Sequence, residues 1–487
     1  MSVDISSLEP KMLWKNFSAL NEVPRASKKE ERVIRFMLDF GNNLGLKTIK
    51  DHIGNVIISK PATPGMENKQ TVVMQSHLDM VHQKNSDTVF DFDKEGIKML
   101  IDGDWVKAEG TTLGADNGIG VATIMALLES TDIAHPALEA LFTIDEETGM
   151  TGALELKGGL LTGSIMLNLD TEDDRELTIG CAGGIDLTSK GSYKLTPVDE
   201  SFKSYKIDVK GLTGGHSGMD IHLGRGNANK IMNRILMEAS KKTRMSLSTV
   251  NGGGLRNAIP RESFAVVNLK EEQYPTLEKV ILDLTQLITA EHETTDPDFQ
   301  VTISEVRRSE FSVEQNFAFK LMRSIYTCPN GIYRMSPDIK DLVQTSNNLA
   351  RVFVKNGKYE ILCLTRSSVE SEKHDLANAI TACFELSDAK VERSGSYPGW
   401  QPKPNADIVK LMTQIYKDKF NEEPHVNACH AGLECGILGQ NYPDMDMISF
   451  GPNIRGAHSP DEKVQISSVQ KYWDFLLDTL KQIPENA

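Results

Sequence analysis

No run of apolar residues in this 487-residue chain approaches the roughly twenty needed to cross a bilayer, so no membrane-spanning helix is expected. Positive charge is in short supply as well. Fifty-three Lys and Arg against 68 Asp and Glu leave a formal net charge of −15, with no basic cluster to offset it. That balance disfavours nucleic acid and anionic membranes as partners. Cysteine is sparse: Cys181, Cys328, Cys363, Cys383, Cys429 and Cys435 lack the paired spacing of metal knuckles, which predicts reduced thiols and a cytoplasmic location. Cys429 and Cys435 flank a small-residue loop and read as buried structural thiols. The opening residues Met1-Ser2-Val3-Asp4 lack the charged-then-apolar pattern of an export signal. What remains is an ordinary globular composition in a chain too long for one core, so two or more domains are expected.

The first part of the chain alternates helical and extended patterns. Residues 28–44 have helical periodicity, with Ser27 and Glu30 spaced as a capping box, and residues 118–128 form a small, apolar helical stretch. Short β-branched or apolar runs at 55–58, 71–75, 138–144 and 165–169 read as strands. Strands alternating with helices predict an α/β catalytic domain with a largely parallel sheet flanked by helices. From about residue 201 the pattern changes to strand 205–209, helix 227–240, strands 246–250 and 263–269, helix 277–290 and strand 299–306. This β-α-β-β-α-β order is that of a ferredoxin-like unit. A second, imperfect copy is expected to follow, with helix 313–325, a hairpin turning at Asn356-Gly357, helix 371–385 and strand 389–393. The alternating style returns after Pro398-Gly399-Trp400. The expected division is therefore a catalytic domain in two segments, 1–187 and 397–487, around an inserted α+β lid domain, 188–396, of two ferredoxin-like units.

Chemistry concentrates at the ends of the first-segment strands. His77, Asp116, the Glu146-Glu147 pair and Asp170 each follow an apolar run or precede a helix, where open α/β sheets gather ligands. His458, in Gly456-Ala457-His458-Ser459-Pro460, lies nearly three hundred residues further on. If it joins the others, the terminal segment must return to the first sheet. Two imidazoles and three carboxylates suit a pair of divalent ions when one carboxylate bridges them, and a further carboxylate beside a ligand can take a proton from water. Asp79, two residues from His77, is placed to orient the imidazole. Asp116, between Gly114 and Gly118, would by itself read as a helix N-cap, but the run from Thr111 to Gly118 is more elaborate than a cap needs. Glu146 and Glu147 fit a division of labour, with Glu147 on a metal and Glu146 as general base and then acid. Glu172, Asp173 and Asp174 read as a solvated acidic turn beyond Asp170. His216, in Gly214-Gly215-His216-Ser217-Gly218, is held by glycines in the inserted domain and could stabilise an oxyanion.

The strings around His77, Asp116, Glu146 and His216, together with Asn257-Ala258-Ile259-Pro260, resemble the co-catalytic zinc peptidases, a group that includes carboxypeptidase G, aminoacylase and carnosinase. Cys181-Ala182-Gly183-Gly184-Ile185-Asp186, His430-Ala431-Gly432-Leu433-Glu434-Cys435-Gly436 and Tyr397-Pro398-Gly399-Trp400-Gln401-Pro402 look like the bacterial aminoacyl-histidine dipeptidases, the cytosolic non-specific dipeptidase group. The likeness covers essentially the whole chain. It implies two Zn²⁺ ions per chain, one on His77, Asp116 and Asp170 and the other on Asp116, Glu147 and His458. It further implies that Asp79 orients His77, that Glu146 activates water and that His216 assists from the lid. Asn257 and Arg366 are implied as substrate contacts, Arg366 pairing its guanidinium fork with a C-terminal carboxylate. Mixed His and carboxylate ligands also accept Co²⁺ or Mn²⁺. The expected activity is hydrolysis of unblocked dipeptides, including Xaa-His and β-alanyl-histidine. The alternatives are an N-acyl amino-acid deacylase with the same metal centre and a metal-dependent peptide-binding protein without turnover. A homodimer is compatible with this reading, and His216 would then act either in its own subunit or across the interface.

Overall fold

The computed structural model describes residues 5–486, which divide into two compact units: residues 5–180, 400–428 and 433–486, and residues 181–399 with 429–432. Among the described residues, no helix is long and apolar enough to cross a membrane.

The first unit is built on an eight-stranded sheet. Its order is Lys47–Lys50, Val56–Lys60, Leu138–Thr143, Val72–His77, Ile165–Asn168, Asp446–Ser449, Glu176–Cys181 and His425–Cys429. The four central strands run parallel, while Val56–Lys60 pairs antiparallel with Leu138–Thr143. Every residue of Val72–His77 and Leu138–Thr143 is buried, the pattern of strands covered on both faces, which explains why they read as short, mostly apolar runs without alternation. The helix Ala115–Glu129 is buried on almost all sides, so it is apolar all round. The terminal segment does return: Asp446–Ser449 pairs in parallel register with Ile165–Asn168. A smaller sheet orders Ile454–Arg455, Lys463–Gln465, Trp105–Ala108 and Met99–Asp102, and so ties the His458 loop to the stretch that leads into Asp116.

Residues 28–44 do form a helix, Glu31–Asn43, but without the expected capping box. Ser27 donates instead to Asp79 (2.8 Å), and Glu30 accepts from the backbone N–H groups of Lys28 and Asp145. Local spacing suggested a cap because the tertiary partners of these side chains lie far away in sequence.

In the second unit, a nine-stranded sheet contains the two ferredoxin-like units joined side by side. The strands Phe202–Lys210, Ser246–Gly253, Ser263–Lys270 and Gln300–Val306, with helices Ala228–Lys242 and Tyr274–Glu291, make the first. The second uses Val343–Lys355, Lys358–Ser367 and Val391–Tyr397 with helices Gln315–Thr327 and Glu370–Glu385. Its missing strand is Gly183–Ser192, which pairs with both Lys358–Ser367 and Val391–Tyr397. One unit is thus nested inside the other rather than following it. This strand also lies across the expected 187/188 boundary. Its glycines hid it from a propensity reading, yet they are needed: a Cβ on Gly183 would lie 2.4 Å from the Gly399 nitrogen, and one on Gly184 would lie 2.6 Å from the Tyr397 ring. The hairpin turns at Asn356 and Gly357, both at positive φ, as a two-residue turn of this type requires.

Candidate metal centre

The carboxyl ends of the central strands deliver the side chains. His77 ends its strand, Glu146 and Glu147 open a short helix after Leu138–Thr143, and Asp170 follows Ile165–Asn168. Asp116 caps nothing. It stands with Asn117 in non-helical backbone at the start of its helix, and its carboxylate faces two histidines. His77 Nε2 lies 3.2 Å from Asp116 and 3.4 Å from Asp170, whereas His458 Nε2 lies 3.3 Å from the other Asp116 oxygen and 2.9 Å from Glu147. Two groups of three donor atoms therefore form, each within 4.8 Å, His77–Asp116–Asp170 and Asp116–Glu147–His458, sharing Asp116. Such a donor set, nitrogen and oxygen with one carboxylate common to both groups, fits two divalent cations. The remaining oxygen of Glu147 is buried with no hydrogen-bond partner, as a vacant coordination position would be.

Two further triads of acidic and histidine side chains lie close by. Glu146 approaches His77 and Glu147, but it is not required by either complete set. Glu30, Asp79 and Asp145 also converge, yet their oxygens are taken up: Asp79 accepts from Ser27 and from the Glu146 and Glu147 N–H groups, and Asp145 accepts from the Thr148 and Thr151 hydroxyls. Asp79 also stands 3.4 Å from His77 Nδ1, which in addition lies 3.1 Å from the Asp79 carbonyl. Its carboxylate thus joins the imidazole to the backbone that presents the Glu146-Glu147 pair.

Electrostatics follow from this crowding. Burial pushes the Glu146 carboxyl well above the usual range and lifts Asp170 to about 6. Burial also opposes charge on Asp116, but the hydrogen bonds from His458 and His77 outweigh it and hold its carboxyl low. Asp116 and Glu147 push His458 up to about 11, and His77 is likewise raised, burial being outweighed by Asp170 and Asp116. His458 therefore holds its proton at neutral pH in the metal-free protein, and a metal ion must displace it. That imidazole is protonated before loading and deprotonated after it, so loading releases a proton and apparent metal affinity rises with pH. Calorimetric titration at pH 7 in two buffers of different ionisation enthalpy should register that release. Loading without proton release would remove His458 from the ligand sets.

The acidic turn after Asp170 is half-buried and ion-paired rather than freely solvated. Asp173 pairs with Arg455 (2.7 Å), Asp174 with Lys471 (2.9 Å), and burial lifts Glu172 to about 8. The returning terminal segment supplies these cations, which no local reading could foresee. Glu434, quoted above only as part of a string, is another buried carboxylate of this unit. It accepts from Gln75 (2.6 Å) and Thr143 (2.7 Å), Gln75 accepts in turn from Asn168, and burial pushes its carboxyl up to about 7.

The second unit has its own polar cluster. His216 Nδ1 accepts from the Gly218 and Met219 N–H groups, which puts the ring proton on Nε2. Burial and the Arg366 cation both depress its pKa, so it is a neutral donor. Arg366 is 5% exposed and donates to the Tyr397 hydroxyl (2.9 Å). Among the described residues no carboxylate forms a salt bridge with it, unlike the surface pair a stray arginine would make. Asn257 is exposed, and its carbonyl accepts from the Ser217 N–H. His430, whose Nε2 lies 2.8 Å from the Ser346 hydroxyl, is pushed down to about 3, chiefly by burial and then by Arg366. None of the six cysteines is in a disulfide.

Paired donor sets with a shared carboxylate, at the strand ends of an α/β sheet, define a co-catalytic metallohydrolase. Residues 73–482 match peptidase family M20/M25/M40, and the chain belongs to that family. It is 41% identical over 481 residues, 99% of either chain, to the cytosol non-specific dipeptidase of Escherichia coli (strain K12). Among solved structures, it superposes on the aminoacylhistidine dipeptidase of Vibrio alginolyticus with a TM-score of 0.95, at 42% identity and 99% coverage of both chains. The aminopeptidase PepT of Bacillus cereus shares the fold at a TM-score of 0.57 and 15% identity, covering 98% of this chain and 99% of that one.

Proposed function

We propose that this chain is a cytoplasmic dinuclear zinc dipeptidase acting on unblocked dipeptides, Xaa-His and β-alanyl-histidine among them. The observation that carries the reading is the pair of three-donor groups sharing Asp116, with Glu146 left over beside them. Similarity to the E. coli and Vibrio enzymes along 99% of the chain supports the substrate class. When bound, the two ions supply Lewis acidity toward the scissile carbonyl and lower the pKa of water.

The chain's own residues do the rest. His77, Asp116 and Asp170 hold one ion, and Asp116, Glu147 and His458 the other. Asp79 fixes His77. Glu146 takes the proton from the attacking water and returns it to the leaving amine. His216, with its proton on Nε2, donates to the oxygen that becomes negative as the carbonyl turns tetrahedral. Arg366, a buried cation with no carboxylate partner among the described residues, receives the substrate's C-terminal carboxylate, and Asn257 contributes a further contact.

Metal content and turnover of free and N-acetylated dipeptides, measured on one purified sample, test the whole reading. The expected result is near two metals per chain with only the free dipeptides cleaved. Cleavage of the acetylated forms at an equal rate would make the chain a deacylase, and two metals without turnover would make it a binder.

A further inference from the structure

The loop that presents Asp116 is gripped from both sides by side chains with no part in the proposed chemistry. On one side stands Glu462, 2% exposed. One of its oxygens accepts from the backbone N–H groups of Leu113 (2.7 Å) and Gly114 (2.8 Å), the other from those of Ala115 (2.7 Å) and Asp116 (3.1 Å). Four consecutive N–H groups aimed at one carboxylate are the arrangement by which backbone nests bind anions, here filled by the chain itself. On the other side, Asn21 donates to the Leu113 carbonyl, and Arg25 donates to the carbonyls of Gly114, Leu78 and Asp79. The fit is close at Gly114, where φ is +72° and a Cβ would come within 2.5 Å of the guanidinium.

Glu462 comes from the turn that carries His458. That turn is closed by the Ser459 N–H on the Gly456 carbonyl and the Glu462 N–H on the Ser459 carbonyl, with His458 itself at a φ of +63°. His458 is 57% exposed, whereas His77 and Asp170 are buried or nearly so at the ends of hydrogen-bonded strands. His77 and Asp170 therefore lean on the sheet, whereas Asp116 and His458 come from two loops, which the Glu462 carboxylate fastens together through four backbone N–H groups.

We infer that Glu462 is the positioning residue of the Asp116–Glu147–His458 metal position, clamping the Asp116 loop to the His458 turn. The inference rests on the dinuclear reading above. Glu462→Gln keeps the volume but turns an amide N–H₂ toward backbone donors, so two of the four hydrogen bonds become repulsive. Titration of the metal-free full-length chain with Zn²⁺ against a chromogenic chelator reads each ion separately. For Glu462→Gln, both ions should bind more weakly because Asp116 serves both, but unequally: the Asp116–Glu147–His458 position, which also draws His458 from the clamped turn, should lose about 10–100-fold, the usual scale for outer-shell partners, and the other position clearly less, with kcat recovering at saturating Zn²⁺. Unchanged binding of both ions, or equal weakening of both, would overturn the inference. A wild-type chain that takes up fewer than two ions would instead sink the dinuclear reading and this inference with it. Hydrogen exchange on the wild-type protein covers the case in which the variant does not fold. The amides of Leu113 to Asp116 should be protected with and without metal, and rapid exchange of all four in the metal-free chain would overturn the clamp.

Discussion

Glu146→Gln should keep both metals and lose about 10²–10⁴-fold in kcat, the contribution expected of a positioned general base and acid. The retention of metal follows from the donor sets, since His77–Asp116–Asp170 and Asp116–Glu147–His458 are each complete without it. The loss follows from its surroundings. Burial raises the Glu146 carboxyl well above the usual range, while bound dications would pull it back down. Those opposed effects leave a carboxylate able both to accept a proton from water and to give it up to an amine. The glutamine keeps shape and hydrogen bonding and cannot carry that proton, so KM should change far less than kcat. Glu146 also lies in a third group with His77 and Glu147, which gives the experiment its second outcome. A variant that loses one equivalent of metal would make Glu146 a ligand, and a variant near full activity would end its role as base.

Much of this centre was legible because its residues advertise themselves locally. His77, Glu147 and Asp170 stand where buried strands stop, and a charged side chain there must either meet solvent or meet a partner. Asp116 was harder, since a lone aspartate before an apolar helix is usually a cap. The glycines around it pointed away from a cap, and in the structure its carboxylate faces His77 and His458. What stayed hidden was whatever depends on chain segments far apart. Ser27 and Glu30 imitate a capping box yet serve Asp79 and Asp145, and the acidic turn after Asp170 is neutralised by Arg455 and Lys471. Glu462 gives no sign of its four backbone donors, some 346 residues away in sequence. The nested order of the second unit was missed for a related reason. Its first strand, Gly183–Ser192, is rich in glycine because tyrosine rings and backbone pack on it, and strand propensity cannot register a neighbour.

Asp116→Ala should be more damaging than any other single change at the centre, because Asp116 alone belongs to both donor sets. Outer-shell substitutions typically cost about 10–100-fold in metal affinity, and loss of a bridging ligand should exceed that for each ion. Activity should fall by about 10³-fold or more at micromolar Zn²⁺, since the ions are expected to supply several kcal/mol of transition-state stabilisation. His458→Ala provides the contrast. It removes a donor from one set only, so that variant should keep one ion while losing turnover. The same difference should appear in stability. Saturating metal raises the wild-type Tm because the ions bind the folded chain, each stabilising it by about 4 kcal/mol at a thousandfold excess over its Kd. That increment should persist in Glu146→Gln, shrink in His458→Ala and nearly vanish in Asp116→Ala. Metal per chain after desalting, read beside the Tm with and without Zn²⁺, checks the series. If Asp116→Ala holds two ions as tightly as the wild type, then Asp116 does not bridge, and the two positions must be built from separate carboxylates.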